Sequence, residues 1–458
     1  MKSNAIFFVI PTIYRAATIL DTGIFKTLNQ RGIPLVIISP FANDLKPRDA
    51  FQKPNIILEN LPKPPKSFFI SLVLKLRAFF LRIDNPRVRE GILIEESIRV
   101  GRKTKRAFIE LLIIIAVKLT NPLRGFLSLL FDRLEEKILV SPEYSKIFET
   151  HEPAAVVLGT TGSDMHDLIF LAAARKFNVS SVIVDLPWSY FDNRLFHALR
   201  PITKIAVWTD IFKEKLINIH KMPAENITIT GSARYDSYAK EERLEKRESF
   251  FKKLGADPKK SLITYATISD AWHPFQPAII RRLLETARRG QFKKPCELLV
   301  RLGPNQERAE LYYKVKKEFP ELLIENSHDP DKPSYKDHLV NLLHLSDVIL
   351  SVGSSLALDA AILKTPMIYL GFTGLLKPHP CDEVLKMIYQ FDFLKKAIAT
   401  GGVEIAWNYN ELTQKINEFL ENRNLKNLER ENLVKEFLGE LDGKAGERIA
   451  NLILEVSR

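Results

Sequence analysis

Short apolar runs alternate with stretches of helical periodicity along most of this chain, and that rhythm constrains the fold more than any single motif. Residues 5–10 form an apolar run, 16–30 carry a helical pattern that Gly32 is placed to end, and 35–38 form a second apolar run. This is a βαβ unit. The alternation returns at 154–158, 164–177 and 181–185, and again at 204–208, 210–220 and 227–230. A second set of strand-like runs follows at 262–266, 297–302, 322–325, 348–352 and 367–370. Apolar runs of this length joined by helices predict parallel, doubly wound sheets covered on both faces. The expected fold class is α/β, with two Rossmann-like domains facing a central cleft and C-terminal helices after them.

Composition sets the domain limits. The 458 residues are 46% hydrophobic and 27% charged, which suits two or three folded domains and excludes a disordered or fibrous chain. The expected organisation is a first domain at 1–237 with a basic insertion at 62–137, a charged linker at 238–257, a second domain at 258–410, and C-terminal helices at 411–458. The last of these carry a pattern that suits a return to the first half. Cys296 and Cys381 lack CxxC spacing and His partners, so neither a disulfide framework nor a structural metal is expected, and a reducing cytoplasm fits. No export signal is expected at residues 5–10, where Pro11 ends a short apolar run. The run at 111–117 is far short of the roughly 20 residues that span a bilayer.

The net charge of +12 is local: residues 62–137 hold sixteen Lys and Arg against eight acids. Apolar residues there recur at helical spacing, as Phe68, Phe69, Leu72, Leu76, Phe79, Phe80 and Ile83, and as Leu123, Phe126, Leu127, Leu130, Phe131, Leu134 and Ile138. Such helices suit the surface of an anionic membrane, and equally suit core helices with solvated outer faces. Off-stripe Ile70, Val73, Leu74 and Leu81 favour lipid. Nucleic acid is not expected, because no binding motif accompanies the charge and the aromatics are Phe on apolar faces.

The sharpest motif is the stretch from Asp347 to Asp359. An apolar run leads into Gly353, and Ser354 and Ser355 sit where a helix opens, so backbone N–H groups and hydroxyls converge where phosphate would be favoured. Asp359, one turn on, is spaced to meet ribose hydroxyls. A plain helix cap is the other reading of these serines.

With Ser346-Asp347, Ser354-Ser355, Asp359 and Thr365-Pro366 in that order, the segment resembles the donor half of GT-B glycosyltransferases, most closely the CDP-glycerol glycerophosphotransferase and capsule-polysaccharide transferase group. Trp188 with Asp192-Asn193, Val207-Trp208, and Thr230-Gly231-Ser232-Ala233-Arg234-Tyr235-Asp236 resemble other elements of that group in the same order. Arg301-Leu302-Gly303-Pro304 matches its R-x-H-P with Gly303 in place of His, and Asp359 stands where the group usually has Glu. The resemblance covers about residues 153–372. It implies that Arg301, Ser354, Ser355 and Asp359 hold the diphosphate and ribose of an activated donor, with neither cofactor nor metal. Arg supplies a planar cationic fork for that purpose.

Loop residues supply the other candidates. Asp164, at a strand-to-helix turn, is the candidate catalytic base and equally a helix N-cap. Arg15, Asp192, His273 and His379 are candidate substrate contacts, and Asp270 is a further loop acid; plain loop or capping residues are the other reading of Asp192, Asp270, His273 and His379. Asp329-Pro330-Asp331 reads as a turn, not a metal motif. The expected partners are a nucleotide-sugar donor, a lipid-linked or glycan acceptor, and an anionic membrane surface met through 62–137. The expected enzyme works on the cytoplasmic membrane face and transfers a glycosyl or glycerophosphate-like group. A nucleotide-sugar 2-epimerase and a non-catalytic membrane-surface or nucleic-acid binding protein on the same scaffold remain alternatives.

Overall fold

The computed structural model describes residues 5–12, 15–45, 51–81, 121–184, 186–189, 191, 201–239, 244–270, 272–303, 306–326 and 335–458. They form two compact units, one built from the described residues up to 239 together with 438–458, the other from 244 to 437.

The first unit carries β1 (Ile6–Val9), β2 (Leu35–Ser39), β3 (Ile56–Asn60), β4 (Ala155–Leu158), β5 (Ser180–Ile183), β6 (Lys204–Val207) and β7 (Ile227–Ile229). Their order is β3-β2-β1-β4-β5-β6-β7, and every pairing is parallel. β1, β2 and β4 read IFFV, LVIIS and AVVL and are buried at every position, as central parallel strands covered on both faces must be. Helix α1 (Gly23–Gln30) opens on Thr22, whose hydroxyl accepts the Ile24 N–H. The C-terminal helix (Ala445–Val456) buries Ile449, Ala450, Leu452 and Ile453 in the same core as α1 and β1. Strand order reverses between β1 and β4, so the loops leaving their carboxyl ends part there and open a crevice.

Two further helices of this unit, α2 (Phe68–Phe80) and α3 (Arg124–Leu139), are turned unusually. On α2 it is Ile70, Val73 and Arg77 that face inward, while the apolar stripe Phe68, Phe69, Leu72 and Leu76 lies outward, Phe68 being 84% exposed. On α3 the first turns expose Phe126, Leu129 and Leu130, and Phe131 packs against Val73 and Leu81. Residues 82–120, which include the run at 111–117 and much of the basic charge, lie outside the described residues. Among the described residues no helix is long and apolar enough to cross a membrane. Helix α4 (Met165–Lys176) runs from the end of the β4 loop.

The second unit carries β8 (Ser261–Ala266), β9 (Cys296–Leu302), β10 (Leu323–Asn326), β11 (Val348–Ser351), β12 (Met367–Leu370) and β13 (Glu404–Ala406), ordered β10-β9-β8-β11-β12-β13 and again parallel. Its reversal lies between β8 and β11. The charged stretch expected as a linker contains helix α5 (Arg247–Leu254), whose Phe250 and Phe251 are fully buried against Leu262, Leu299 and Leu342. Two adjacent aromatics outweigh the charges around them and draw this helix into the second unit. The C-terminal helices divide between the units near residue 438, where the chain rejoins the first.

Candidate functional site

In the second unit the Gly353-Ser354-Ser355 turn follows β11, one of the two strands at the reversal. Helix α6 (Leu356–Ile362) opens directly after it. Tyrosines from the core clamp the turn: the Tyr389 hydroxyl accepts the Gly353 N–H at 3.3 Å while donating to the Leu370 carbonyl at 2.8 Å, and the Tyr369 hydroxyl donates to the Ser354 carbonyl at 2.6 Å. Gly353 has φ +36°, and an added Cβ would press on Ile388 and Leu394 at 3.1 Å, so this position favours glycine on both counts. Ser354 Oγ accepts the Leu356 N–H at 3.2 Å. Ser355 makes no such cap, and its hydroxyl is unbonded among the described residues.

The loops after β8 and β12 stand on either side of β11 and meet each other. His273 accepts the Phe275 N–H on Nδ1 at 3.3 Å, which leaves Nε2–H to donate to the Phe372 carbonyl at 3.1 Å. Burial lowers the His273 pKa and keeps the ring neutral. His379 caps α7 (Pro380–Ile388) by accepting the Cys381 N–H on Nδ1, and its ring stands edge-on to Phe275 at 4.7 Å. Both histidines, expected as substrate contacts, therefore shape the walls of the crevice, and the buried His273 ring is wholly engaged in doing so. Asp270, also buried, accepts from Gln306 Nε2 at 2.8 Å and the Arg308 N–H at 3.1 Å.

Two expected donor contacts lie differently. Arg301 is buried, and its Nη1 bonds Glu325 Oε1 at 3.1 Å, the register partner on β10, while Glu325 Oε2 meets His338 Nε2 at 2.7 Å. β9 is two strands, or about 10 Å, from β11. The structure thus does not bring Arg301 to the serine turn. Asp359, in the first turn of α6, is buried, 1% exposed. Gly303 has a steric reason: a Cβ there would lie 2.9 Å from the Thr267 carbonyl oxygen, and its N–H donates to Thr267 Oγ1 at 2.8 Å. Asp347 is structural, its Oδ2 accepting the Leu262 N–H at 2.8 Å and pairing with Arg247 at 3.3 Å.

In the first unit the reversal brings Arg15, after β1, to the Gly159–Asp164 loop after β4. The guanidinium lies across the backbone of Gly159, so close that a Cβ there would sit 1.0 Å from Nη1. Nη1 meets Asp167 Oδ2 at 3.4 Å, and Thr160 Oγ1 donates to the same oxygen at 2.6 Å. Asp167 is fully buried, and Oδ1 has no partner. Burial pushes its pKa up to about 6 against the opposing pull of Arg15. Asp164 is the N-cap of α4, its Oδ1 accepting the His166 N–H at 2.9 Å and the Asp167 N–H at 3.3 Å. Its Oδ2 is unbonded among the described residues. Asp167 escaped the sequence reading; the D-x-x-D spacing of Asp164 and Asp167 was the available signal.

Asp192 and residues 329–331 lie outside the described residues. The segment ending in Tyr235-Asp236 is structural: Asp236 caps the C-terminal helix through the Ala445 and Gly446 N–H groups at 3.0 and 2.7 Å, and Trp208 stacks edge-on to Tyr235 at 5.8 Å. Among the described residues no three His, Cys, Asp or Glu side chains converge as a metal site would require.

No family model matches the chain, and no curated protein matches it in sequence. Solved structures do match in fold. The S. aureus MnaA–UDP complex superposes with a TM-score of 0.56 at 14% identity, over 99% of this chain and 97% of that one. UDP-GlcNAc 2-epimerase from Neisseria meningitidis bound to UDP-GlcNAc gives 0.54 at 13%, over 98% and 100%. A glycosyltransferase from Rickettsia africae gives 0.50 at 13%, over 99% and 100%. The fold is of the GT-B type.

Proposed function

We propose that the chain is a sugar-nucleotide-dependent transferase that moves a glycosyl or glycerophosphate-like group from a nucleoside-diphosphate donor to a lipid-linked acceptor at an anionic membrane surface. The observation that carries this reading is the outward apolar face of α2 and α3, with Phe68 and Phe126 mostly exposed beside Lys66, Lys75, Arg133 and Lys137. An enzyme acting only on a soluble nucleotide has no use for such a face, whereas one that meets lipid does. The donor would lie at the β8/β11 crevice, where ligands of doubly wound sheets bind. There Ser355 Oγ and the turn's N–H groups would offset charge on the departing diphosphate. Asp164 Oδ2 would take the proton of the acceptor hydroxyl.

Thermal-shift screening of UDP, GDP, CDP and ADP tests the donor half. One of them at a hundredfold excess over its Kd should stabilise the protein by about 2.7 kcal/mol. Ser355→Ala should remove the shift without lowering the stability of the free protein. No stabilisation by any of the four would overturn the donor assignment.

A 2-epimerase is the second reading, favoured by neighbours that carry UDP and UDP-GlcNAc. Conversion of a nucleotide sugar with no acceptor present would select it.

A further inference from the structure

Alongside α2 lies an open hollow of about 700 Å³. Phe68, Ser71, Leu74, Lys75 and Ala78 of α2 line it, with Lys66 before the helix and Met165 of α4. The hollow is therefore continuous with the outward face of α2, Phe68 belonging to both. Small side chains at Ser71 and Ala78 are what leave the space open. The lining is mainly apolar, and Lys66 and Lys75 are both exposed with no ion pair among the described residues. Met165 directly follows Asp164, so the groove ends against the first turn of the helix that Asp164 caps.

We propose that this groove is the seat of a single lipid chain carrying a phosphate, the chain lying on Leu74, Ala78 and Met165 and the phosphate meeting Lys66 and Lys75. The proposal rests on the transferase reading, in which such a molecule is the acceptor, and gives that acceptor a binding site. The charge complementarity commits the occupant. A flat apolar face suffices for a bilayer, but a hollow flanked by two ammonium groups that have no ion pair among the described residues suits one chain with an anionic head.

The test uses the full chain in calorimetric titrations with farnesyl phosphate below its micellar concentration, with farnesol and with inorganic phosphate. Farnesyl phosphate should bind saturably, and farnesol and inorganic phosphate each weaker by at least about tenfold, since a charge-assisted contact and the apolar burial each contribute that much. Ala78→Trp, which fills the groove, should abolish farnesyl phosphate binding and leave flotation with anionic vesicles intact, because Phe69, Leu72 and Phe126 of the outward face lie outside the groove. Lys66→Gln with Lys75→Gln, both at exposed positions, should weaken farnesyl phosphate by about tenfold and bring it close to farnesol. A nucleotide thermal shift retained in each variant verifies the fold. Equal binding of farnesyl phosphate and farnesol, or binding unchanged by Ala78→Trp, overturns the proposal. So does an Ala78→Trp protein that changes only its oligomeric state, which would assign the groove to a second copy of the chain. Nucleotide binding without farnesyl phosphate binding removes the groove proposal alone. Farnesyl phosphate binding with no nucleotide shift removes the donor assignment and leaves the groove standing.

Discussion

Two helix pairs in the first unit solve the same packing problem in opposite ways. Where α1 meets the C-terminal helix, the backbones approach so closely that a Cβ on Gly446 would lie 2.7 Å from the Gly23 Cα, and the buried faces are Ile24, Phe25 and Leu28 against Ile449, Ala450 and Ile453. Polar residues lie outside, as Arg31 and Asn451 do, joined by a 2.8 Å hydrogen bond. Where α2 meets α3 the arrangement is inverted. Arg77 is fully buried, with Nη1 2.6 Å from Asp132 and 3.5 Å from Glu135, and Arg175 of α4 reaches Glu135 at 3.4 Å and Glu136 at 3.2 Å. The apolar side chains are outside. An apolar stripe therefore does not decide by itself which way a helix turns: a buried charge network on the other face can hold it outward.

The largest effect expected from breaking this contrast is at Arg77. Arg77→Ala takes a buried guanidinium away from Asp132 and Glu135, both buried, and should cost about 3–5 kcal/mol. Urea unfolding read at the midpoint, with the slope unchanged, measures it. A loss below about 1 kcal/mol, the range of exposed pairs, would show that the network is solvated and does not set the orientation of α2.

Much of the fold was legible in the sequence because parallel strands buried on both faces write themselves as unbroken apolar runs, as in LVIIS at β2 and VILS at β11. The serine turn was legible for the same reason, being fixed by the strand before it and the helix after it. What was not legible depended on partners distant in sequence. Nothing near Arg301 announces that Glu325, 24 residues on, will occupy its guanidinium. His273 and His379 read as loop residues, either open to substrate or capping, and their partners, a carbonyl at Phe372 and a backbone N–H at Cys381, were not named by the sequence. Phe250 and Phe251 were hidden among charges. The stripe on α2 was visible, but its direction was set by Asp132 and Glu135, more than 50 residues away.

Charge burial along α4 gives a second, smaller test. At one end Arg175 pairs with acids of α3; at the other Asp167 faces Arg15, Thr160 and Asp164, with one carboxylate oxygen unbonded among the described residues. Its folded pKa of about 6 lies above its ordinary value of 3.8. The folded state thus holds the proton more tightly than the unfolded one, and this contribution to stability is full below about pH 4 and is lost as pH rises through about 6. Asp167→Asn keeps an acceptor for Thr160 and removes the ionisation. It should gain on the order of 1–3 kcal/mol relative to the parent between pH 4 and 7, read from melting curves across that range. Parallel pH profiles for the two proteins would show that Arg15 neutralises Asp167 fully, which would make the two ends of α4 alike.

The smallest stability change is expected where the outward face itself is altered, and there the contrast is sharpest. Phe68→Ser with Phe126→Ser removes two large apolar side chains that pack on little, being 84% and 68% exposed, so stability should move by no more than about 0.5 kcal/mol. The same exchange in the buried α1 pair, at Phe25, would strip a core residue and cost several kcal/mol. Flotation with anionic vesicles should nevertheless fall sharply, because each Phe transferred from water to an apolar phase contributes about 1.5–3 kcal/mol. Raising salt should weaken what remains, as Lys66 and Lys75 lose their attraction to the head groups. If the double variant floats as the parent does, the outward stripe is not a lipid contact, and the reason for an inverted helix pair must be sought in another partner.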